Sequence, residues 1–272
     1  MEEMTRADAA LHARGLVASR EKARALIEAG LATVNGVVIT KPAQKVGPED
    51  VLAVLGQAHP YVGRGGLKLE KALKVFGADP AGRVCMDIGA STGGFTDVLL
   101  QNGARRVYAI DVGSAQLDPL LAADPRVVSM ERVNARSLTP DMFPEPPTLA
   151  VMDVSFISVT LILPAAFGVL GEKGRLISLV KPQFEAGRAQ VGKHGVVSKP
   201  SAHVEALRRV LDFAPTLGWR AQGLDYSPIA GGSGNLEFLA DFVPEARCRR
   251  FITPEDIAAL IKRAHGAVPM KK

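Results

Sequence analysis

The apolar run Val84–Ile88 empties into a glycine-rich stretch, Asp87-Ile88-Gly89-Ala90-Ser91-Thr92-Gly93-Gly94-Phe95, that opens a helix, and a second run, Arg106–Ile110, delivers Asp111 24 residues after Asp87. This strand, loop, helix and strand constrain the chain more than any other feature. Glycines at such a turn let a ligand approach the backbone, and the amide groups of the helix N-terminus face it. The rhythm continues through Arg126–Ser129, Leu149–Met152 and Leu176–Val180, with helical patterns between. It predicts an α/β fold with a mostly parallel sheet covered on both faces. The ending differs. After a helix at about 200–213, only the turn Gly231-Gly232-Ser233-Gly234 lies between Trp219–Ser227 and Leu236–Val243, which predicts a terminal antiparallel hairpin.

An acid at the end of the second strand can accept both hydroxyls of an adenosine ribose. The loop has neither G-x-G-x-x-G nor a Walker lysine, so nicotinamide cofactors and nucleoside triphosphates fit poorly. S-adenosylmethionine fits better, because its amino-acid end needs a tight turn and it has no pyrophosphate to cradle. The candidate cofactor residues are Asp87, Gly89, Ala90, Ser91, Thr92, Gly93, Gly94, Phe95, Asp111 and Val112.

With 272 residues, of which 47% are hydrophobic and 22% charged, the chain can build one large domain and a small module, which excludes a disordered or fibrous protein. Met1–Gly15 lacks the apolar run of a secretory signal, and the uncharged stretch 154–171, interrupted by Pro164 and Gly168, reads as a buried helix and not a membrane span. Cys85 and Cys248 are too few for a disulfide framework, so a reducing cytoplasm is expected and no metal site.

The net charge of +5 permits a nucleic-acid partner, and its placement is informative. Residues 5–46 hold seven basic residues against three acids. Ser19 can cap a helix carrying Ala23, Leu26 and Ile27 on one face, Gly30 can end it, and Asn35-Gly36 marks a hairpin, with Val51–Leu55 as a further strand. The expected organisation is a small α+β domain over 1–58, a linker over 59–66, and the α/β domain over 67–272. In the latter, Leu69, Ala72, Leu73 and Phe76 form a helical stripe, with Lys68, Lys71 and Lys74 off it.

Four ionisable residues stand where an open α/β sheet presents side chains to a ligand: Lys68 on the helix before the first strand, Asp153 and Lys181 just after apolar strands, and Glu237 in the last strand. Charges at the ends of buried strands are costly unless paired or used. A structural Lys–Asp pair and a catalytic cluster both satisfy that condition.

Residues 6–46 resemble the RNA-binding module first seen in ribosomal protein S-four, which implies phosphate contacts from Arg6, Arg20, Arg24 and Lys41, joined by Arg64 beyond them. The four ionisable residues resemble the Lys-Asp-Lys-Glu tetrad of FtsJ-like ribose 2′-O-methyltransferases. From about Arg6 to Phe242, through GRGGLKLEKAL, DIGASTGGFTD, DVSFIS, LVKPQFE and GNLEFL, the chain resembles the TlyA family. The resemblance implies a Rossmann-like seven-stranded sheet with an antiparallel last strand, S-adenosylmethionine as cofactor, and methyl transfer to a cytidine 2′-hydroxyl in ribosomal RNA of the large subunit, in some members also the small. It places Asn134 near the adenine, adds Asp153 to the cofactor residues, and makes Lys68, Asp153, Lys181 and Glu237 catalytic. The expected partner is ribosomal RNA within subunits, with no membrane, and the protein is expected to be a monomer or weak homo-oligomer.

A ribose hydroxyl is a poor nucleophile at neutral pH, so the site must align the oxygen and remove or stabilise its proton. Lys181 is the candidate, as a neutral base or as a charged group stabilising the alkoxide. Other readings fit less well. Asp153-Val154-Ser155-Phe156 lacks the two prolines common in base amino-group methyltransferases, and neither cysteine is placed for attack on a cytosine ring. Pseudouridine synthases can carry an S-four-type module but need no such loop. A non-catalytic assembly factor would not need the tetrad, and the haemolysin label given to some TlyA relatives lacks a membrane span. The glycine-containing segment 185–199, with Arg188, Lys193, His194 and Lys199, reads as a substrate-facing loop, and Arg247, Arg249, Arg250, Lys262, Arg263, Lys271 and Lys272 could add phosphate contacts.

Overall fold

The computed structural model describes residues 4–17, 19–56, 59–192 and 194–268. The chain divides into two compact units, Met1–Gly63 and Arg64–Lys272. Lys193, Lys271 and Lys272 lie outside the described residues.

The first unit runs β1 (Thr5–Arg6), α1 (Ala7–Ala13), α2 (Arg20–Glu28), β2 (Ala32–Val34), β3 (Val37–Ile39), β4 (Lys45–Val46) and β5 (Leu52–Val54). Ser19 caps α2 by accepting the Lys22 N–H at 3.2 Å, and Gly30 follows its end at φ +70°. Asn35 and Gly36 both take positive φ, the geometry that matches strand twist in a two-residue hairpin, and β2 is paired with both β3 and β5. Ala7, Leu11, Ala23, Ile27, Ile39 and Val46 form a core for this unit.

The second unit runs α3 (Gly66–Phe76), β6 (Val84–Ile88), α4 (Gly94–Gln101), β7 (Arg106–Ile110), α5 (Pro119–Ala122), β8 (Val127–Met130), β9 (Leu149–Met152), α6 (Leu163–Leu170), β10 (Leu176–Val180), α7 (Pro182–Glu185), α8 (Pro200–Phe213), β11 (Trp219–Tyr226), β12 (Phe238–Pro244) and α9 (Pro254–Ala267). Its seven-stranded sheet has the order β11-β12-β10-β9-β6-β7-β8. Neighbours are parallel from β10 to β8, and β12 enters antiparallel between β10 and β11. The strand order reverses beside β6, and the crevice outside the carboxyl ends there is where open sheets bind ligands.

β6, β9, β10 and β12 are buried throughout, in keeping with the mostly apolar runs of strands covered on both faces. Glu237, expected inside the last strand, stands one residue before β12, and its carbonyl accepts the Ser227 N–H at 2.8 Å. The apolar stretch after β9 forms a 3-10 turn at Val159–Leu161 and then α6, which holds Pro164 in its first turn. Among the described residues no helix is long and apolar enough to cross a membrane.

Candidate active site

α3 begins at Gly66 and turns Lys68, which lies off its apolar stripe, inward, so that the residue is only 8% exposed. Its ammonium lies 2.6 Å from Glu237 Oε2 and 3.2 Å from Asp153 Oδ2. Lys181, the residue after β10, lies 2.6 Å from Asp153 Oδ1 and donates to Ser155 Oγ at 2.8 Å. The four residues thus form one chain of alternating charge, Glu237–Lys68–Asp153–Lys181. Asp153 Oδ1 and Glu237 Oε2 are held by these ion pairs and not by directed hydrogen bonds. Lys71 is also tied down, donating to the Tyr226 carbonyl at 2.7 Å and lying 3.1 Å from Asp225. Lys74 stays exposed.

Burial works to lower the Lys68 ammonium, but the Asp153 and Glu237 charges outweigh it and hold its pKa above the ordinary lysine value. Burial likewise works to raise the Asp153 carboxyl, and Lys68 and Lys181 together hold it below the usual carboxylate range. Lys68 therefore stays protonated and Asp153 ionised, a balanced arrangement in which each buried charge has an opposite neighbour. Gly231 makes room for it: a Cβ there would stand 2.3 Å from Glu237 Oε1.

Beside the tetrad lies a cavity of about 570 Å³, lined by Gly89, Ser91, Asp111, Val112, Asn134 and Asp153 together with Ser155, Phe156 and Ile162. Asp111 accepts the Ser91 N–H at 2.8 Å and the Gly113 N–H at 2.7 Å, which fixes its carboxylate and leaves each oxygen a second lone pair. Val112 is 76% exposed on this wall. Asn134 lines the cavity while capping the 3-10 turn Ala135–Ser137 through its side chain. A Cβ on Gly89 would stand 2.7 Å from the Asp153 carbonyl oxygen, so only glycine lets the two strand ends come this close.

Not every loop residue reaches the cavity. Ala90 lines a smaller neighbouring pocket with Ser91 and Asp111. Gly93 packs on α5, where a Cβ would stand 2.3 Å from Leu121 Cδ1. Gly94 and Phe95 are buried at the start of α4, and the Thr92 carbonyl accepts the Asp118 N–H at 3.1 Å. Asp87 is fully buried, accepts from Thr96 Oγ1 at 2.7 Å through one oxygen and, among the described residues, has no hydrogen-bond partner for the other. Burial pushes its carboxyl up to about 7.

S-adenosylmethionine fits these residues: a fixed carboxylate suits ribose hydroxyls, the apolar Val112 face suits a purine, and the unspent Asp87 oxygen suits a cationic group.

The sequence reading missed Ser155, Phe156 and Thr96. Phe156 is 92% exposed at φ +64°, with its ring 5.4 Å from that of Phe184. Ser155 and Phe156 lie within DVSFIS, where the neighbouring aspartate drew attention. Cys85 is buried inside β6 with its thiol pushed up to about 12 by burial, and Cys248 follows β12, so neither lines the cavity.

In the first unit, Arg6 makes a bidentate contact of 2.9 Å with buried Asp8, and Arg20 approaches the same carboxylate at 3.5 Å. Arg24 pairs with Glu28 at 3.8 Å, and Lys41 is exposed. Arg64 belongs to the second unit, where a Cβ on Gly232 would stand 3.7 Å from its Nη2. The segment after Lys181 is clasped by buried Asn235, whose side chain bonds the Gly195 carbonyl and the Val197 N–H at 2.8 Å each. Of the later basic residues, Arg247 donates to the Gly174 carbonyl at 3.1 Å, Arg250 pairs with Asp256 at 2.6 Å, and Arg263 lies 3.9 Å from Asp225.

Residues 61–242 match the family of FtsJ-like methyltransferases, and residues 5–52 match the S4 domain. The chain is 45% identical over 240 residues to the 16S/23S rRNA (cytidine-2'-O)-methyltransferase TlyA of Mycobacterium tuberculosis, covering 88% of this chain and 90% of that one. It is 44% identical to Hemolysin A of Brachyspira hyodysenteriae, over 88% of this chain and 99% of the relative. Among solved structures, a protein described as a hemolysin from Streptococcus thermophilus superposes with a TM-score of 0.78 at 45% identity, covering 98% of each chain.

Proposed function

The chain belongs to the FtsJ-like methyltransferases and, within them, to the TlyA family, and from that premise we propose that it transfers a methyl group from S-adenosylmethionine to the 2′-hydroxyl of a cytidine in ribosomal RNA. The observation that carries this reading is the alternating chain Glu237–Lys68–Asp153–Lys181, whose Asp153 lines the cavity that Asp111 and Asn134 also line.

The cofactor supplies an activated methyl group when bound. Asp111 would hold its ribose, Val112 and Asn134 its adenine, and the turn at Gly89–Ser91, with Asp87 beneath, its amino-acid end. The protein's remaining task is to present the 2′-oxygen and manage its proton. Lys181 serves that task at the end of the charge chain, and Asp153 fixes its nitrogen at 2.6 Å. Lys68, itself held by two carboxylates, keeps Asp153 ionised and in place. Phe156, exposed beside the cavity, offers a flat apolar face on which an unstacked base can rest.

The S-four-type domain, residues 1–58, binds folded RNA through phosphate and sugar contacts, with Arg6, Arg20, Arg24 and Lys41 as its contact residues. Residues 59–66 link it to the methyltransferase domain, and Arg64 adds a cation beside the Gly231–Gly234 turn. The protein works in the cytoplasm on ribosomal RNA within subunits, without a membrane, as a monomer or weak homo-oligomer. The large-subunit 23S RNA is the principal substrate, with 16S RNA a possible second one.

The test is incubation of the wild-type protein and Lys181→Ala with radiolabelled S-adenosylmethionine and separated ribosomal subunits from cells lacking the gene. Label in an alkali-resistant linkage at cytidine is expected with wild type and not with the variant, which should keep near-native cofactor affinity. Retained turnover by Lys181→Ala would remove that residue from the reaction, and absence of label with wild type would overturn the reading.

A further inference from the structure

Ser155 takes no part in the reaction as described, yet its Oγ is 2.8 Å from the Lys181 nitrogen and accepts an N–H from it. We propose that Ser155 is a positioning residue for the transfer: together with Asp153 it fixes the orientation of the Lys181 nitrogen, so that one tetrahedral direction stays open for the 2′-oxygen of the substrate ribose. The proposal rests on the functional reading above.

A lysine nitrogen has three substituent directions besides its bond to Cε, and they exchange by rotation about that bond among staggered positions. Asp153 Oδ1, an ion-pair partner at 2.6 Å without directed hydrogen-bond geometry, draws one of them toward itself. With Asp153 alone, the other two are interchangeable, and a neutral amine could hold its lone pair in either. Ser155 Oγ takes the second direction as an acceptor and leaves a single one. The argument holds for both forms of the residue: the open direction carries the lone pair of a neutral base or the third N–H of a charged alkoxide stabiliser.

The surroundings favour this use over an incidental contact. Lys181 is 7% exposed, whereas Ser155, to which it donates, is exposed and lines the cavity. The loop that carries it is held from both ends. Asp153 anchors one end through two lysines. At the other end, the buried Glu185 carboxylate accepts Ser158 Oγ at 2.6 Å and the Val159 N–H at 2.8 Å, from the short helix that follows Lys181 itself. Ser155 and Lys181 are therefore carried on two segments clamped to each other, which holds their backbones in register.

The experiment compares wild type, Ser155→Ala, Ser155→Thr and Lys181→Ala in steady-state methylation of ribosomal RNA, with cofactor affinity measured by calorimetry and melting temperature recorded for each. Ser155→Ala is expected to lower kcat by about 10- to 100-fold, the cost of a misaligned reacting group. KM for RNA and Kd for S-adenosylmethionine should stay within about twofold of wild type, the pattern of an interaction used only in the transition state. Ser155→Thr, which keeps the hydroxyl, should recover most of the rate. In the cofactor-free protein labelled with nitrogen-15 lysine, the Lys181 side-chain N–H protons should exchange with water faster in Ser155→Ala than in wild type.

Wild-type kcat in Ser155→Ala, or equal exchange in the two proteins, would overturn the proposal, as would failure of Ser155→Thr to recover rate in a protein that melts like wild type. If Lys181→Ala retains turnover, the functional reading fails first. If Lys181→Ala is inactive while Ser155→Ala is fully active, only the role given to Ser155 fails.

Discussion

Asp87 sits where burial and charge conflict. Complete burial, with the nearby Asp153 charge adding to it against the Thr96 hydrogen bond, pushes its carboxyl up to about 7 from an ordinary value of 3.8. Between those values the folded protein holds a proton that the unfolded chain has released, so this residue's contribution to stability falls as pH rises from about 4 to about 7 and is flat above. Asp87→Asn keeps an acceptor for Thr96 and removes the titration. Its melting temperature relative to wild type should therefore climb between pH 5 and pH 8, by an amount corresponding to a few kcal/mol at about 1.4 kcal/mol per unit of pKa shift. Equal slopes for the two proteins would show that Asp87 does not titrate in this range. A buried acid at the end of the first strand is legible in sequence, because Val84–Ile88 is apolar around it. The Thr96 contact is not, since a threonine in the first turn of α4 reads as an ordinary helix residue until the fold brings it to Asp87.

At the scale of elements, the two segments that follow β9 and β10 behave as one. Glu185 on α7 bonds the loop after β9 through Ser158 and Val159, and burial raises its carboxyl above the usual glutamate value. Glu185→Ala would leave the Val159 N–H and the Ser158 hydroxyl without that acceptor, costing about 1–3 kcal/mol of stability. It would also loosen the loop that carries Ser155 and Phe156. Activity should fall by more than the stability loss accounts for at a temperature where the variant is still folded, with the strands unaffected by circular dichroism; unchanged kcat would show that the clasp is only structural. The strands were readable because a strand buried on both faces is a mostly apolar run, and β6, β7, β9 and β10 match the predicted boundaries. The boundary of β8 moved by one residue and β12 starts after Glu237, since hydrogen-bond pairing and not hydrophobicity decides strand ends. The clasp could not be read, because it joins residues 26 and 27 positions apart whose meeting depends on β9 and β10 being neighbours.

For the whole molecule, the net charge of +5 is a weaker guide than where the charge is spent. Arg6 and Arg20 converge on Asp8, while Arg247 and Arg250 are engaged within the second unit, so the exposed cationic surface is smaller than composition suggests. Binding to ribosomal RNA should still weaken linearly in log affinity against log salt. Lys41→Ala should reduce that slope by about one unit while leaving cofactor affinity unchanged, a comparison measurable by filter binding across salt concentrations; an unaltered slope would remove Lys41 from the phosphate contacts. The gap between composition and available charge was hidden in the sequence because Asp8 precedes Arg20 by a full helix, and only folding brings them together. The same dependence on folding governs the end of the sheet that carries the proposed site. Its four charges come from the first helix of the second unit, from the ends of β9 and β10, and from the turn before β12, which must insert between β10 and a strand made before it. A chain still being synthesised holds Lys68 and Lys181 long before Glu237 leaves the exit tunnel. The proposed charge chain is thus incomplete until the last strand has closed the sheet.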